Sequence, residues 1–126
     1  MAFGDIGGPI TELVITCQTP SSGAVAIRKG DALKLTGNYA VTNETDAEDA
    51  VFGQALADAS ENNKAVSVKV RGICTFAYTG DAPAVDGVKG VVASATGGSV
   101  KAPASGKGAG INVYVNTTAG TVDVLL

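Results

Sequence analysis

KAVSVKVRGICTFAY, residues 64–78, alternates apolar and polar side chains along its whole length. Val66, Val68, Val70, Cys74, Phe76 and Tyr78 fall on one side; Ser67, Lys69, Arg71 and Thr75 fall on the other. A two-residue period is the signature of a strand with one buried face. Gly72 lies on the apolar side, where a missing side chain marks a bulge or a close backbone approach. A run this long bends through two sheets or closes a barrel.

The same pattern extends outward in shorter pieces. Towards the N-terminus, residues 12–17 (ELVITC) alternate, with Leu13, Ile15 and Cys17 sharing a face. QTPSSG follows as a turn cluster. A second strand runs through Val25 and Ile27, and RKGD turns the chain into a third strand, with Leu33 and Leu35 inward and Lys34 outward. Gly37-Asn38 signals another turn. Beyond TGDAP, the stretch VDGVKGVVAS reads as a strand carrying Val88, Val91 and Val92. Residues 96–110, TGGSVKAPASGKGAG, read as a long flexible loop with a short strand at 99–102. The end is a hairpin: INVYVN, a turn at TTAG, then TVDVLL. Ile111, Val113 and Val115 are expected to share one face, as are Val122, Val124 and Leu126, and the apolar end should tie the C-terminus into the sheet.

Residues 43–61, NETDAEDAVFGQALADASE, admit two readings. Thr45 and Glu48 have capping-box spacing, and Val51, Phe52, Ala55, Leu56 and Ala59 form a helical stripe. Against the helix, Gly53 would cost about 1 kcal/mol relative to Ala. The preferred reading is an acidic loop (43–49), a short strand (50–57) and a polar turn (58–63), with the helix over 46–57 as the alternative. Residues 1–10, MAFGDIGGPI, are too rich in Gly for a helix. They read as an extended arm anchored by Phe3 and Ile6 or as a disordered terminus. The expected organisation is an arm (1–10) followed by one β domain (11–126). With about eight short strands, it is an all-β fold of the small β-barrel or β-tulip type, ending in a C-terminal hairpin.

Composition agrees. The chain has 126 residues, the size of one domain, and 45% of them are apolar. There are 17 Gly, about twice the ordinary share of ~7%, while charged residues are 17% and aromatics 5%. That balance favours strands and tight turns over a helical bundle. The net charge is −3 and the nine Lys and Arg are scattered, so no basic stripe offers itself to nucleic acid. No apolar run approaches the ~20 residues that span a bilayer. The N-terminus lacks the basic start and apolar stretch of a signal peptide, so synthesis in the cytoplasm is expected. Cys17 and Cys74 read as buried thiols, with a disulfide as the alternative.

No catalytic apparatus stands out. The chain has no His, which removes the commonest general base and metal ligand. Glu44, Asp46, Glu48, Asp49, Asp58 and Glu61 are close in sequence but lack the EF-hand pattern and read as a solvated face. SGKGAG (105–110) lacks the first Gly and the Ser or Thr of a phosphate-binding P-loop. No catalytic, cofactor-binding or metal-binding residue is assigned, and an enzyme is not expected.

IRKGDALKL, VFGQALADASENNKAVSVKVRGICTF and VDGVKGVVA, in that order, resemble the capsid decoration, or cement, proteins of tailed bacteriophages. The likeness spans residues 10–126 and centres on Gly53, Ala55, Leu56, Asp58, Ala59, Val66, Val68 and Gly72, matching a GxALxDAxxxxxVxVxxxG core. The later G-D-x-V turn of that family is reordered here as Val85-Asp86-Gly87-Val88. The resemblance implies a virion protein on the capsid exterior. It would form homo-oligomers, trimers in preference to dimers, that clamp neighbouring major capsid subunits without cofactor or enzyme activity. An extended arm suits such a clamp, because it can add a strand to a neighbour's sheet edge through main-chain hydrogen bonds. Ala2, Phe3, Gly4, Asp5, Ile6, Gly7, Gly8 and Pro9 are therefore the expected capsid-binding residues. The alternatives are another virion component (a head fibre base or tail-tube protein) or a small barrel binding a ligand or carbohydrate, for which Tyr39, Tyr78 and Tyr114 are the available stacking rings.

Overall fold

Gly72 divides the long alternating run in two. The computed structural model describes residues 12–126, and in it the run forms β5 (Ala65–Arg71) and β6 (Ile73–Ala77). Gly72 has φ 117°, a backbone region that a residue with a Cβ rarely adopts. The alternation keeps its phase across the break, but its two halves serve different cores. Val66, Val68 and Val70 pack with Cys17, Ile27, Leu33, Val41 and Ala55. Cys74 and Phe76 pack with Val91, Ala93, Val100, Val122 and Val124. The single strand expected from the sequence is thus a path from one sheet into another, and Gly72 is the corner rather than a bulge within a strand.

The first core fills a closed barrel. Its other strands are β1 (Leu13–Gln18), β2 (Ala32–Gly37), β3 (Ala40–Thr42) and β4 (Gly53–Ala55). They close in the order β1-β3-β2-β4-β5. All neighbours are antiparallel except β1 and β3, which meet in parallel at Gln18 and Ala40. Residues 43–61 contain a strand and no helix, and the reason lies at Gly53. A Cβ there would come within 2.6 Å of both Lys69 O and Val68 Cγ1, so β4 can approach β5 only through glycine. Thr19, fully buried, staples the polar turn: its hydroxyl donates to Glu61 O (2.6 Å) and accepts from Lys64 N (2.9 Å).

The second core lies under a three-stranded sheet. Its remaining strands are β7 (Val92–Ala93), β8 (Val100–Lys101), β9 (Ile111–Asn116) and β10 (Thr121–Leu125). The sheet has the order β6-β10-β9, and β7 and β8 form a separate ribbon. The C-terminus is tied in as expected: Leu126 and Gly72 exchange main-chain hydrogen bonds of 2.9 and 3.4 Å. The two lobes share residues. Ala32 and Val51 pack into the second core, and buried Gln54 on β4 donates from Nε2 to Thr75 O (2.7 Å) on β6 and to Gly30 O (3.3 Å).

Several expectations change. The described residues form ten strands, some only two residues long, where about eight were expected. Val25 and Ile27 form no strand; Ile27 makes only an isolated bridge to Ala59. Leu35 does not join Leu33 in the core: Leu33 is 1% exposed and Leu35 is 50% exposed, because Leu35, though it opposes Val41, lies beyond the last β2–β4 pair at Leu33 and Gly53. Val88 is exposed in a turn held by Asp86, whose carboxylate accepts from Val88 N and Lys89 N. The 96–110 loop is pinned where Ala109 and Val91 exchange main-chain hydrogen bonds of 2.7 and 3.1 Å, and a Cβ on Gly90 or Gly108 would overlap the facing backbone. On β9 the expected face is split, with Val115 packed against the second core and Ile111 and Val113 exposed. Asp123 opposes Tyr114 but Val124 opposes Asn112, so Val113 is an extra residue. This bulge turns Asn112 into the core, at 1% exposed, and leaves Ile111 and Val113 outside. Asn112 Nδ2 donates to Ala84 O (2.9 Å) and Gly90 O (3.2 Å), which holds the 84–90 loop, while its buried Oδ1 has no protein partner.

Candidate functional site

The eight arm residues Ala2–Pro9 lie outside the described residues, as does the rest of the 1–10 segment. What the described chain offers beside the start of β1 is an open apolar groove. Ile15, Leu35, Gly37, Asn38, Tyr39 and Phe52 line it, enclosing about 520 Å³. Leu35 is available there because it lies past the end of β4, beyond the last β2–β4 pair at Leu33 and Gly53. Tyr39 stands at the rim, 68% exposed. Its backbone is held at φ 55°, the left-handed region that costs a non-glycine residue energy. Two contacts fix that turn: Gln18 N donates to Tyr39 O (2.8 Å), and Gln18 Nε2 reaches Asn38 O (3.4 Å). The tyrosine ring is thereby presented on a rigid corner.

A second groove of about 510 Å³ continues from the first through Leu35 and Phe52, and Lys34, Thr36, Asp49, Ala50 and Val51 complete its lining. Its polar wall is the ion pair of Lys34 Nζ and Asp49 Oδ2 at 2.8 Å. That lysine, with the Asp46 backbone N–H, holds the Asp49 carboxyl below its ordinary pKa. Glu48 is treated alike. Lys101 Nζ and then Ala104 N–H (2.7 Å) hold its carboxyl down. The acidic loop is thus a strap and not a free solvated face. Thr45 Oγ1 donates to Ser94 O (2.6 Å), Glu48 N to Ala93 O (3.1 Å) and Ala93 N to Asp49 O (2.8 Å), fastening the loop to β7.

The remaining chemistry-bearing groups are dispersed. Cys17 and Cys74 are free and buried in different cores. Burial raises both thiols, Cys74 to about 11, with Lys69 pulling weakly the other way, so both stay protonated near neutrality. Among the described residues, no three His, Cys, Asp or Glu side chains gather where they could hold a metal. No helix of the described chain is long and apolar enough to cross a membrane. The arrangement can bind through apolar area and a tyrosine rim. Sequence reasoning missed this groove because it placed Leu35 inward and weighed Tyr39 only as a sugar-stacking ring. The one available signal was a bulky residue directly after Gly37-Asn38.

The fold and groove define an all-β protein built on a closed five-stranded barrel with a sheet lobe beside it. No protein-family model matches the chain, and a search of curated proteins finds no relative.

Proposed function

We propose that the chain is a structural protein of a tailed-phage particle, seated on the outside of the head, where it clamps neighbouring major capsid subunits. One observation carries this reading: the residues that resemble the decoration family form one wall of the barrel. Gly53 sits against β5, Ala55, Val66 and Val68 are buried, Asp58 Oδ1 accepts from Lys29 N (2.8 Å), Ala59 bridges Ile27, and Gly72 makes the corner. The likeness therefore falls on positions that determine a fold, where a family resemblance carries most weight. The apolar groove beside β1 supports the reading from the other direction, since it offers contact area without reactive groups. In this proposal residues Ala2–Pro9 form the docking arm and the protein acts as a homo-oligomer, so that weak contacts are multiplied by symmetry.

The test mixes purified protein with expanded and immature heads built from the major capsid protein of the same genome. Saturable binding to expanded heads, with added resistance to heat, is expected. Absence of binding to expanded heads would overturn the proposal. A variant lacking residues 2–9 is expected to lose at least tenfold in affinity, about 1.4 kcal/mol. Equal binding would remove the arm while leaving the clamp.

A further inference from the structure

One seam of the barrel is closed by a single residue pair. β1 pairs with β5 along its whole length but meets β3 only where Gln18 opposes Ala40. The hydrogen bonds on either side give the direction of the free groups. Thr19 N donates to Lys64 O (2.8 Å), towards β5, and Gln18 N donates to Tyr39 O (2.8 Å), away from it. By antiparallel alternation the main-chain groups of Thr16 and Val14 also point away from β5. Ser67, which opposes Thr16, agrees: its carbonyl accepts from Leu56 N (3.0 Å) on the far side of β5. Among the described residues, no hydrogen bond meets the main chain of Val14 or Thr16 on the open side, and both residues are exposed.

The apolar groove opens on that seam. Ile15 of β1 forms one wall; Leu35, Gly37, Asn38 and Tyr39 of the β2–β3 hairpin, with Phe52, form the rest, and none of them is charged. Ile15 and Phe52 are partly buried against the barrel core, which places the groove at an open end of the barrel interior. The chain enters β1 at Leu13, two residues from Ile15, and MAFGDIGGPIT, residues 1–11, comes before it. That segment carries Met1, Phe3, Ile6 and Ile10 against one charged side chain, Asp5. Gly7-Gly8-Pro9 is a turn signal in its middle.

We propose that in the free protein this seam and its groove are the seat of the chain's own residues 1–11. A reversal centred on Pro9 sets Phe3 opposite Ile15, on the face that the groove occupies. It sets Gly4 and Ala2 opposite Val14 and Thr16, the two residues whose main-chain groups await a partner, so the segment adds an antiparallel strand to β1. Phe3 then covers the open end of the barrel beside Phe52 and Tyr39. A segment joined two residues from the groove wall closes a short loop, and its effective concentration exceeds that of any other copy in dilute solution. The proposal does not rest on the capsid reading, because it concerns the chain without a shell and each can fail alone. Where both hold, a shell must draw the arm off its own barrel.

Amide hydrogen exchange of the full chain, followed residue by residue by NMR, is the test. Val14 and Thr16 are expected to exchange about tenfold more slowly than in a variant lacking residues 2–9. Phe3→Ser and Leu35→Lys alter the two sides of the contact and should each speed the same two amides. Val85→Lys, on an exposed loop, should not. Thermal melting of each variant checks that the fold is retained. Equal rates in the full and shortened chains, or protection indifferent to Leu35→Lys, would overturn the proposal. Protection that rises with protein concentration would give the groove to a second copy's segment and overturn it too.

Discussion

Single glycines do the work of geometry in this protein. Gly72 turns the chain from the barrel into the second sheet at φ 117°, and Gly53 lets β4 lie against β5. At Gly72 the constraint is torsional, so the smallest possible side chain tests it. Gly72→Ala is expected to lower the unfolding free energy by about 1–3 kcal/mol through backbone strain. Urea denaturation should show a lower midpoint with an unchanged slope. A neutral result would mean that the corner tolerates an ordinary residue. Tyr39 shows the opposite use of the same region. A bulky residue is held at φ 55° by Gln18, and the strain delivers an exposed ring to the groove rim.

At the scale of elements, the acidic strap between β3 and β4 is the segment most sensitive to solution conditions. The Glu48 and Asp49 carboxyls both lie below their ordinary values of 4.5 and 3.8. A carboxyl lowered by folding stabilises the folded state above its unfolded pKa, and the contribution is lost as pH falls through the folded value. Melting temperature should therefore drop on acidification below pH about 4. The E48Q/D49N variant should show a shallower drop, read by circular dichroism across a pH series. An unchanged slope would place the acid sensitivity elsewhere. Both groups are exposed, so salt should screen part of the effect. The C-terminal hairpin is the other element whose detail matters, since one extra residue in β9 decides which side chains reach solvent.

On the scale of the whole molecule, two cores share one boundary. Ala32 and Val51 pack across it, and Gln54 hydrogen-bonds across it. The chain should therefore unfold in a single transition, with near- and far-ultraviolet signals coincident. Gln54→Ala leaves the Thr75 and Gly30 carbonyls without their donor and should cost about 1–3 kcal/mol. If the wild-type lobes melted separately, the boundary would be a weak contact rather than part of one cooperative unit.

The all-β class, the run 64–78 and the hairpin at the C-terminus were legible because a two-residue period reports directly which face is buried; the strand within 43–61 was preferred over a helix only because Gly53 disfavours the helix. The sequence alone also determined that no His is available for chemistry and that β9 carries no charge. It could not announce that Val70 and Cys74, in phase on one run, enter different cores, because alternation specifies a face and not which sheet covers it. Nor could it place Leu35 in a groove or Asn112 in the core. Those positions follow from where β4 stops pairing with β2 and from a bulge in β9, which depend on how neighbouring strands pair. Local pattern is a property of one strand; register and closure are properties of strands brought together, and only the tertiary structure decided them.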